Sequence, residues 1–264
     1  MTGADEINRR GPIVLMYHGT PPHRPTARYS LEARLFRRHL DLLQRRGWQT
    51  RTLGALLQPD PLPEKTVIIT FDDGYADNFD GAFLPLRERD MVATWFITAG
   101  VVGGHASWLG APGPETAMLA SGQLREMAQQ GMEIGSHTHT HPDLTTLSPR
   151  RQKEELARSK QSLEALLGRE VDTFAYPYGR YDDDTLGAVR ACGYRIACTV
   201  RPGWIRPGEG AYRVRRITLF SGDSEHTLAR KLSFADNDVS WQRLFAYYRG
   251  RLLERLPGLA GNNK

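Results

Sequence analysis

The sequence contains only two cysteines, Cys192 and Cys198, among its 264 residues. Two thiols cannot build the disulfide framework of a small secreted domain or a cysteine-rich metal site, and we expect two buried thiols rather than a bridge. No apolar run approaches the ~20 residues that a membrane-spanning helix needs. The amino-terminal residues also lack the apolar segment of a secretory signal, so a cytoplasmic location is expected for the chain as it stands.

The chain has no excess of acidic residues: its formal net charge is +5 and its pI is near 9.3. A basic balance is compatible with nucleic-acid binding. The arginines, however, are spread along helical faces without the interleaved stacking aromatics of a single-strand binder. We therefore expect no nucleic-acid partner and a mildly basic solvated surface, which also suits acidic polymers or a membrane face.

Apolar runs of strand length alternate with helical patterns along most of the chain. Residues 12–17 and 65–69 are continuous apolar or β-branched runs that predict buried strands. Ser148 and Pro149 predict the start of a charged helix that ends at Gly168. The alternation predicts an α/β fold of parallel βαβ units, a distorted and nearly closed (β/α) barrel of about seven strands.

We predict a single domain over residues 1–264, with a core at about 11–220 and a helical extension at 221–264. Within the extension, residues 239–256 carry an apolar stripe at helical spacing among arginines. Such a stripe packs on its own domain or lies on a membrane surface. We expect packing, and peripheral membrane contact is the alternative.

Two adjacent carboxylates, Asp72 and Asp73, follow the second predicted strand and precede Gly74. Glycine lets the backbone turn sharply, so the pair is predicted at the carboxyl end of a parallel strand. Ligands and catalytic groups collect at that edge in α/β proteins. An Asp-Gly pair is also a common turn, so this pair alone does not establish a site.

A second polar cluster contains His137, His139 and His141, three of the eight histidines. Histidine is the commonest metal ligand in proteins. The Cα atoms of His137 and His141 would be about 13 Å apart in a straight strand but about 6 Å apart in a helical turn. Pro142 favours a helical turn here, so we predict that both imidazoles converge on one ion. A polar loop with incidental histidines, or a local nickel-chelating patch, is the alternative.

These two motifs together resemble the polysaccharide deacetylases with the NodB homology domain, carbohydrate esterase family 4. The sequence Thr-Phe-Asp-Asp-Gly at 70–74 and the pattern His-Thr-x-x-His-x-x-Leu at 137–144 are similar to family motifs. The similarity covers most of residues 11–220. It implies a barrel of the NodB-homology type and hydrolysis of N-acetyl groups on the amino sugars of a polysaccharide or oligosaccharide.

The resemblance also implies roles for individual residues. In the family the first aspartate is the general base, and the second joins two histidines on the metal. Asp72 is therefore the predicted base, and Asp73, His137 and His141 are the predicted ligands of one divalent ion. Zinc is the default ion, with cobalt or nickel as alternatives.

The general acid is predicted at the end of the first strand. Leu-Met-Tyr-His at 15–18 is similar to the circularly permuted members, including the poly-N-acetylglucosamine deacetylases, in which an amino-terminal strand delivers this histidine. His18 is therefore the predicted acid. The backbone N–H of Tyr178 is predicted to stabilise the oxyanion, and Tyr176 and Tyr178 to contact substrate.

One element departs from the family pattern. Its Arg-x-Pro-Tyr element begins here with Ala175, so the arginine that would pair with the base is missing at that position. Arg216 resembles a later family arginine and is predicted to supply the charge. Three activities stay open: removal of N-acetyl groups from a glycan, deacylation of a lipid-linked sugar or small amide, and glycan binding without turnover.

Overall fold

Strand β3 (Thr66–Phe71) lies in the middle of a parallel sheet and is buried at every position. Strand β1 (Ile13–Tyr17) runs beside it, and their register pairs Ile13 with Val67 and Tyr17 with Phe71. A continuous β-branched run suits a strand that is covered on both faces. The computed structural model describes residues 11–110, 113–205, 208–240, 242 and 245.

The described residues contain eight strands, all parallel. The other six are β2 (Gln49–Arg51), β4 (Thr94–Ile97), β5 (Glu133–Ser136), β6 (Thr173–Ala175), β7 (Ile196–Cys198) and β8 (Ile217–Thr218). Seven strands follow one path in the order β7-β6-β5-β4-β3-β1-β8, and β2 pairs with the first half of β3. The two ends of the path meet at a parallel bridge between Cys198 and Val214. The predicted distorted barrel is confirmed.

Five α-helices lie between strands along the described part of the chain, and a sixth follows β8. They are α1 (Ala33–Arg45), α2 (Leu84–Arg87), α3 (Ser121–Gln129), α4 (Pro149–Leu167), α5 (Asp183–Ala191) and α6 (Glu225–Phe234). Helix α4 has the predicted limits: Ser148 is its N-cap, and Gly168 ends it with a left-handed φ of 67°. Glycine adopts this conformation without the steric cost of a Cβ atom.

The strands bury both of their faces because successive side chains point to opposite sides of the sheet. Val14, Ile68 and Phe96 belong to a small apolar cluster drawn almost entirely from strands and their connections. The intervening residues, such as Leu15 and Ile69, belong to a larger cluster that includes the buried faces of the helices. The strands are thereby fixed in position, and their carboxyl ends form a rigid rim.

The two cysteines are free, as predicted; Cys198 is buried and Cys192 is half-buried. The amphipathic segment predicted at 239–256 lies almost entirely outside the described residues. Within the described ranges, no helix has both the length and the apolar character needed to cross a bilayer.

Candidate active site

A cavity of about 570 Å³ opens at the carboxyl ends of the strands. Its lining includes His18 after β1, Asp72 and Asp73 after β3, and His137 and His141 after β5. Parallel strands end on one rim, so residues far apart in sequence meet there. The cavity volume lies within the usual range for small-molecule sites. All five polar residues predicted from the two motifs and the first strand therefore line one cavity.

Asp73, His137 and His141 present their donor atoms to one another. Asp73 Oδ1 lies 3.4 Å from His137 Nε2 and 3.2 Å from His141 Nε2. The other nitrogen of His137, Nδ1, donates to the carbonyl of Ala175 at 2.8 Å. A carbonyl only accepts, so this bond fixes the tautomer and leaves the Nε2 lone pair of His137 free for a metal.

The three side chains fit a divalent metal ion. One ligand atom from each lies within 4.8 Å of the others, and all three residues are buried. Two imidazoles and one carboxylate form a three-ligand set that keeps a coordination position open for substrate. Burial raises the pKa of Asp73, but the contacts with His137 and His141 and the nearby His18 together outweigh that effect, so the pKa lies well below its usual value. The carboxylate is thus charged, as a metal ligand must be.

The backbone between the two histidines is not the predicted helical turn, and that prediction is wrong. Residues 137–143 contain no helix; Thr138 and His141 instead adopt left-handed φ values of 68° and 62°. Two side chains take the place of helical hydrogen bonds. Thr138 Oγ1 accepts from the amide of His141 at 3.0 Å, and Glu155 Oε2 accepts from the amides of His139 and Thr140 at 3.0 and 2.8 Å. The tight loop brings the two imidazole rings to a centroid distance of 4.9 Å.

Asp72 is not a member of this group and forms a bidentate ion pair with Arg216. Arg216 Nη1 and Nη2 donate to the two carboxylate oxygens at 2.6 and 2.8 Å. Nε of Arg216 donates to the carbonyl of Thr199 at 2.9 Å, which fixes the guanidinium plane. Burial raises the pKa of Asp72, but the positive charge and hydrogen bonds of Arg216, together with the nearby His137 and His18, outweigh that effect, so the pKa lies below its ordinary value. Arg216 therefore supplies a positive charge beside Asp72.

His18 lines the same cavity as these groups. Its pKa is lowered by burial, and the charges of Asp73 and Asp72 oppose that effect only in part. Its Nδ1 atom is buried and has no hydrogen-bond partner among the described residues. The imidazole stacks on Tyr29, with ring centroids 5.2 Å apart and planes inclined by 30°.

The two tyrosines predicted to contact substrate have different surroundings. Tyr178 is 55% exposed, adopts a left-handed φ of 58°, and its hydroxyl lies 3.2 Å from His141 Nδ1. Tyr176 is 1% exposed, and its hydroxyl donates to the carbonyl of Tyr212 at 3.1 Å. Tyr176 thus forms part of the cavity wall, with its hydroxyl already bonded. Contact of either residue with substrate stays a prediction.

Two aromatic residues at the site were not singled out from the sequence. Trp108 stacks on His141 with centroids 4.3 Å apart and planes inclined by 17°. It belongs to the glycine-rich connection at 100–113, whose composition indicates a loop without showing which side chain reaches the site. Tyr29 follows a proline-rich loop, and no local pattern separates it from any other loop tyrosine. His139 does not join the ligands; its carbonyl accepts from the amide of Gly100 at 2.8 Å.

A family model described as "Polysaccharide deacetylase" matches residues 60–197. The chain is also 33% identical over 215 residues to "Putative polysaccharide deacetylase YxkH" of Bacillus subtilis, and the match covers 80% of this chain and 72% of that protein. The chain belongs to the polysaccharide deacetylase family. The matched segment holds Asp72, Asp73, His137 and His141, whereas His18 and Arg216 lie outside it.

Other relatives carry more specific names. A "Poly-beta-1,6-N-acetyl-D-glucosamine N-deacetylase" of Staphylococcus aureus is 27% identical over 188 residues, which cover 67% of this chain and 62% of that protein. Among solved structures, the Streptococcus pyogenes deacetylase PplD in complex with acetate aligns with a TM-score of 0.72 and 29% identity. IcaB from Ammonifex degensii aligns with a TM-score of 0.71 and 30% identity. Each alignment covers 83% of this chain and 96% of the other. The shared fold therefore spans 83% of this chain and nearly the whole length of each of the two solved structures.

Proposed function

We propose that this protein is a metal-dependent hydrolase that removes N-acetyl groups from the amino sugars of a polysaccharide or oligosaccharide. The observation that carries the proposal is that two adjacent aspartates have different partners. Asp73 faces two histidine Nε2 atoms, whereas Asp72 faces the guanidinium of Arg216, in one cavity with His18. The name of the Staphylococcus aureus relative supports N-acetylglucosamine as the sugar unit.

Asp73, His137 and His141 would hold one divalent ion, with zinc as the default and cobalt or nickel as alternatives. When bound there, such an ion supplies Lewis-acid chemistry, polarising an amide carbonyl and making a water molecule more acidic. Tyr178 contacts one of these three residues, since its hydroxyl is within hydrogen-bond distance of His141 Nδ1. Its side chain helps to orient the His141 ring, as outer partners of metal ligands do.

Asp72 acts as the general base in this proposal. It accepts a proton from the attacking water as the water oxygen bonds to the carbonyl carbon. Arg216 holds the carboxylate in a fixed plane and keeps it ionised, because a bidentate guanidinium pair favours the charged form. The backbone N–H of Tyr178 is proposed to donate to the oxygen that becomes negatively charged.

His18 acts as the general acid. When the carbon–nitrogen bond breaks, its electron pair goes to the amine nitrogen, which takes a proton from His18. The products are acetate and a free amino sugar. The alternative of a glycan-binding module without turnover was motivated by the missing arginine at position 175. The pairing of Arg216 with Asp72 supports the enzyme over that alternative.

The direct test is acetate release from N-acetylglucosamine oligomers by metal-stripped protein, with and without added zinc. We expect release only after zinc is added, and none from Asp72→Asn at the same zinc loading. Zinc-loaded protein that binds these oligomers but frees no acetate from any N-acetylated sugar would contradict the proposal. Activity confined to lipid-linked sugars would replace the substrate class while keeping the chemistry.

A further inference from the structure

We propose that Tyr29 is the positioning residue for His18, holding the imidazole of the general acid through ring stacking. The inference rests on the proposed function, since it concerns the acid of that reaction. It concerns a residue in the loop between β1 and α1, outside the segment matched by the family model. Three features of the structure lead to it: an imidazole Nδ1 atom without a hydrogen-bonded partner among the described residues, an aromatic face against the ring, and a support behind that face.

His18 differs from the two buried histidines of the site, His137 and His141, in how its ring is held. His137 and His141 each have a partner at Nδ1, the carbonyl of Ala175 and the hydroxyl of Tyr178. Nδ1 of His18 is buried and unpartnered among the described residues. An acid or base histidine is normally oriented by a hydrogen bond to the nitrogen that does not react. Packing must set the orientation of His18 instead.

Tyr29 provides that packing with its ring face. Its centroid lies 5.2 Å from that of His18, and the inclination of 30° is that of a stacked pair. Aromatic pairs of this kind contribute about 0.5–1.5 kcal/mol beyond the area they bury. A stack of that strength is sufficient to favour one rotamer of a ring whose Nδ1 atom bonds to none of the described residues.

The Tyr29 ring is itself held in place from behind. Phe220, two residues after β8, lies 5.9 Å from it between centroids. The guanidinium of Arg28 lies over both rings, 5.6 Å from Tyr29 and 4.8 Å from Phe220. The backbone of this loop is also fixed, because the amide of Ser221 donates to the carbonyl of Arg28 at 2.9 Å. The series His18, Tyr29, Phe220 thus ties the acid to the chain segment that follows β8.

The kinetic test compares Tyr29→Leu, which removes the aromatic face, with Tyr29→Phe, which keeps it. On an N-acetylated oligosaccharide and zinc-loaded protein, Tyr29→Leu should lower kcat about 10-fold or more with KM changed less than about threefold. Tyr29→Phe should keep kcat within about threefold, because stacking needs the ring and not the hydroxyl. A rise in KM with kcat unchanged would make Tyr29 a substrate contact and overturn the proposal.

A double-mutant cycle with His18→Ala tests whether Tyr29 acts through His18. We expect the double variant to lose no more activity than His18→Ala alone. Leu109→Ala is the matched control: Leu109 is an exposed side chain of the same cavity, in the turn that carries Trp108 on the His141 side. Any loss of activity in Leu109→Ala should add to the loss in His18→Ala. Additive losses for Tyr29→Leu would overturn the proposal.

The leaving group offers a second kinetic readout. An amine needs a proton from the acid, whereas the phenolate of 4-nitrophenyl acetate leaves without one. Tyr29→Leu and His18→Ala should therefore both lose much more activity on the acetamide than on the aryl ester. Equal losses on the two substrates would show that Tyr29 supports the site in general and does not position the acid.

A measurement without turnover separates failure of this inference from failure of the proposed function. In NMR spectra of zinc-loaded protein, with the His18 resonances assigned by their loss in His18→Ala, the ring protons of His18 should be shifted upfield by the Tyr29 ring current. The shift should persist in Tyr29→Phe and disappear in Tyr29→Leu. An unchanged His18 shift in Tyr29→Leu overturns the inference. Inactivity of the wild type on every acetamide overturns the proposed function, and the NMR result then still decides whether Tyr29 sets the ring position.

Discussion

Arg216 and Asp72 form a buried bidentate ion pair, although 144 positions separate them in sequence. The Arg216 side chain is fully buried and that of Asp72 nearly so, at 4% exposed, so each charge depends on the other for stabilisation. The guanidinium also donates to the carbonyl of Thr199 and to the hydroxyl of Thr70, at 2.9 and 3.2 Å. The pair therefore links the ends of β3 and β7 with the start of β8.

Removing the guanidinium should impair both activity and folding. Arg216→Met leaves an unpaired buried carboxylate, and we expect a loss of about 3–5 kcal/mol in the free energy of unfolding. Arg216→Lys keeps a positive charge but cannot form the bidentate pair with Asp72, so kcat/KM should fall about 100-fold. Because Arg216 lowers the pKa of Asp72, the acidic limb of the pH–rate profile should move to higher pH in Arg216→Lys.

The neighbouring Arg215 provides the control, since it pairs with Glu209 near the surface. Arg215→Lys should change stability by less than about 1 kcal/mol and leave the pH–rate profile in place. Denaturant titrations and pH–rate profiles of the two lysine variants make the comparison. An unshifted acidic limb in Arg216→Lys would mean that Asp72 is not the titrating base.

The two aspartates should separate cleanly on substitution. Asp72→Asn should lower kcat by about 10²–10⁴-fold because it removes the base, with zinc affinity within about threefold of wild type. Asp73→Asn should weaken zinc binding by at least about 100-fold, because it removes a charged ligand. Competition with a chromophoric chelator measures both affinities. Loss of zinc in Asp72→Asn would show that the two roles have been exchanged.

His39 should make stability depend on pH. It is buried in α1 between the Tyr17 hydroxyl and the carbonyl of Asp223, and burial lowers its pKa to about 4. The unfolded chain takes up a proton near pH 6.5, while the folded one stays neutral, so stability is complete above that pH and is lost on acidification towards pH 4. Between pH 7.5 and 5 this group should cost about 2 kcal/mol of unfolding free energy.

His39→Gln, which can keep both hydrogen bonds, should remove that part of the pH dependence. Only the difference between variant and wild type isolates His39, because Asp77, with a pKa raised by burial to about 6, changes stability in the opposite sense over the same range. The exposed His226→Gln serves as the control. Parallel curves of unfolding free energy against pH for wild type and His39→Gln would contradict the prediction.

Substitution of Gly74 should strain the turn that presents the two aspartates. Its φ is 94°, and a Cβ atom there would lie 2.9 Å from Ile97 Cδ1. Gly74→Ala should cost about 1–3 kcal/mol and weaken zinc binding through Asp73. Gly187→Ala is the control: it lies in α5 with open space around it and should gain about 0.5–1 kcal/mol. Thermal denaturation of both variants makes the comparison. Equal changes in stability for Gly74→Ala and Gly187→Ala would argue against strain at Gly74.

Patterns of apolar residues predicted the barrel, because burial on two faces leaves a continuous apolar run in each strand. Helix α4 was predicted to the residue, since Ser148, Pro149 and Gly168 each have a local preference. The turn between His137 and His141 was predicted wrongly, because its shape depends on Glu155, which lies in α4. Local preference cannot anticipate a hydrogen bond from another element.

The sequence by itself determined the chemistry available here: two adjacent carboxylates after a buried strand and two histidines after another. It could do so because parallel strands end on one rim, so their order along the chain was enough to bring these groups together. Tertiary structure decided the rest. Arg216 reaches Asp72 because the ends of the sheet come together, and Tyr29 reaches His18 because its loop bonds to the segment after β8. The first contact joins residues far apart in sequence, and the second lies within one connection, between β1 and α1, that is held by a bond to a distant segment. No local sequence pattern predicts either contact.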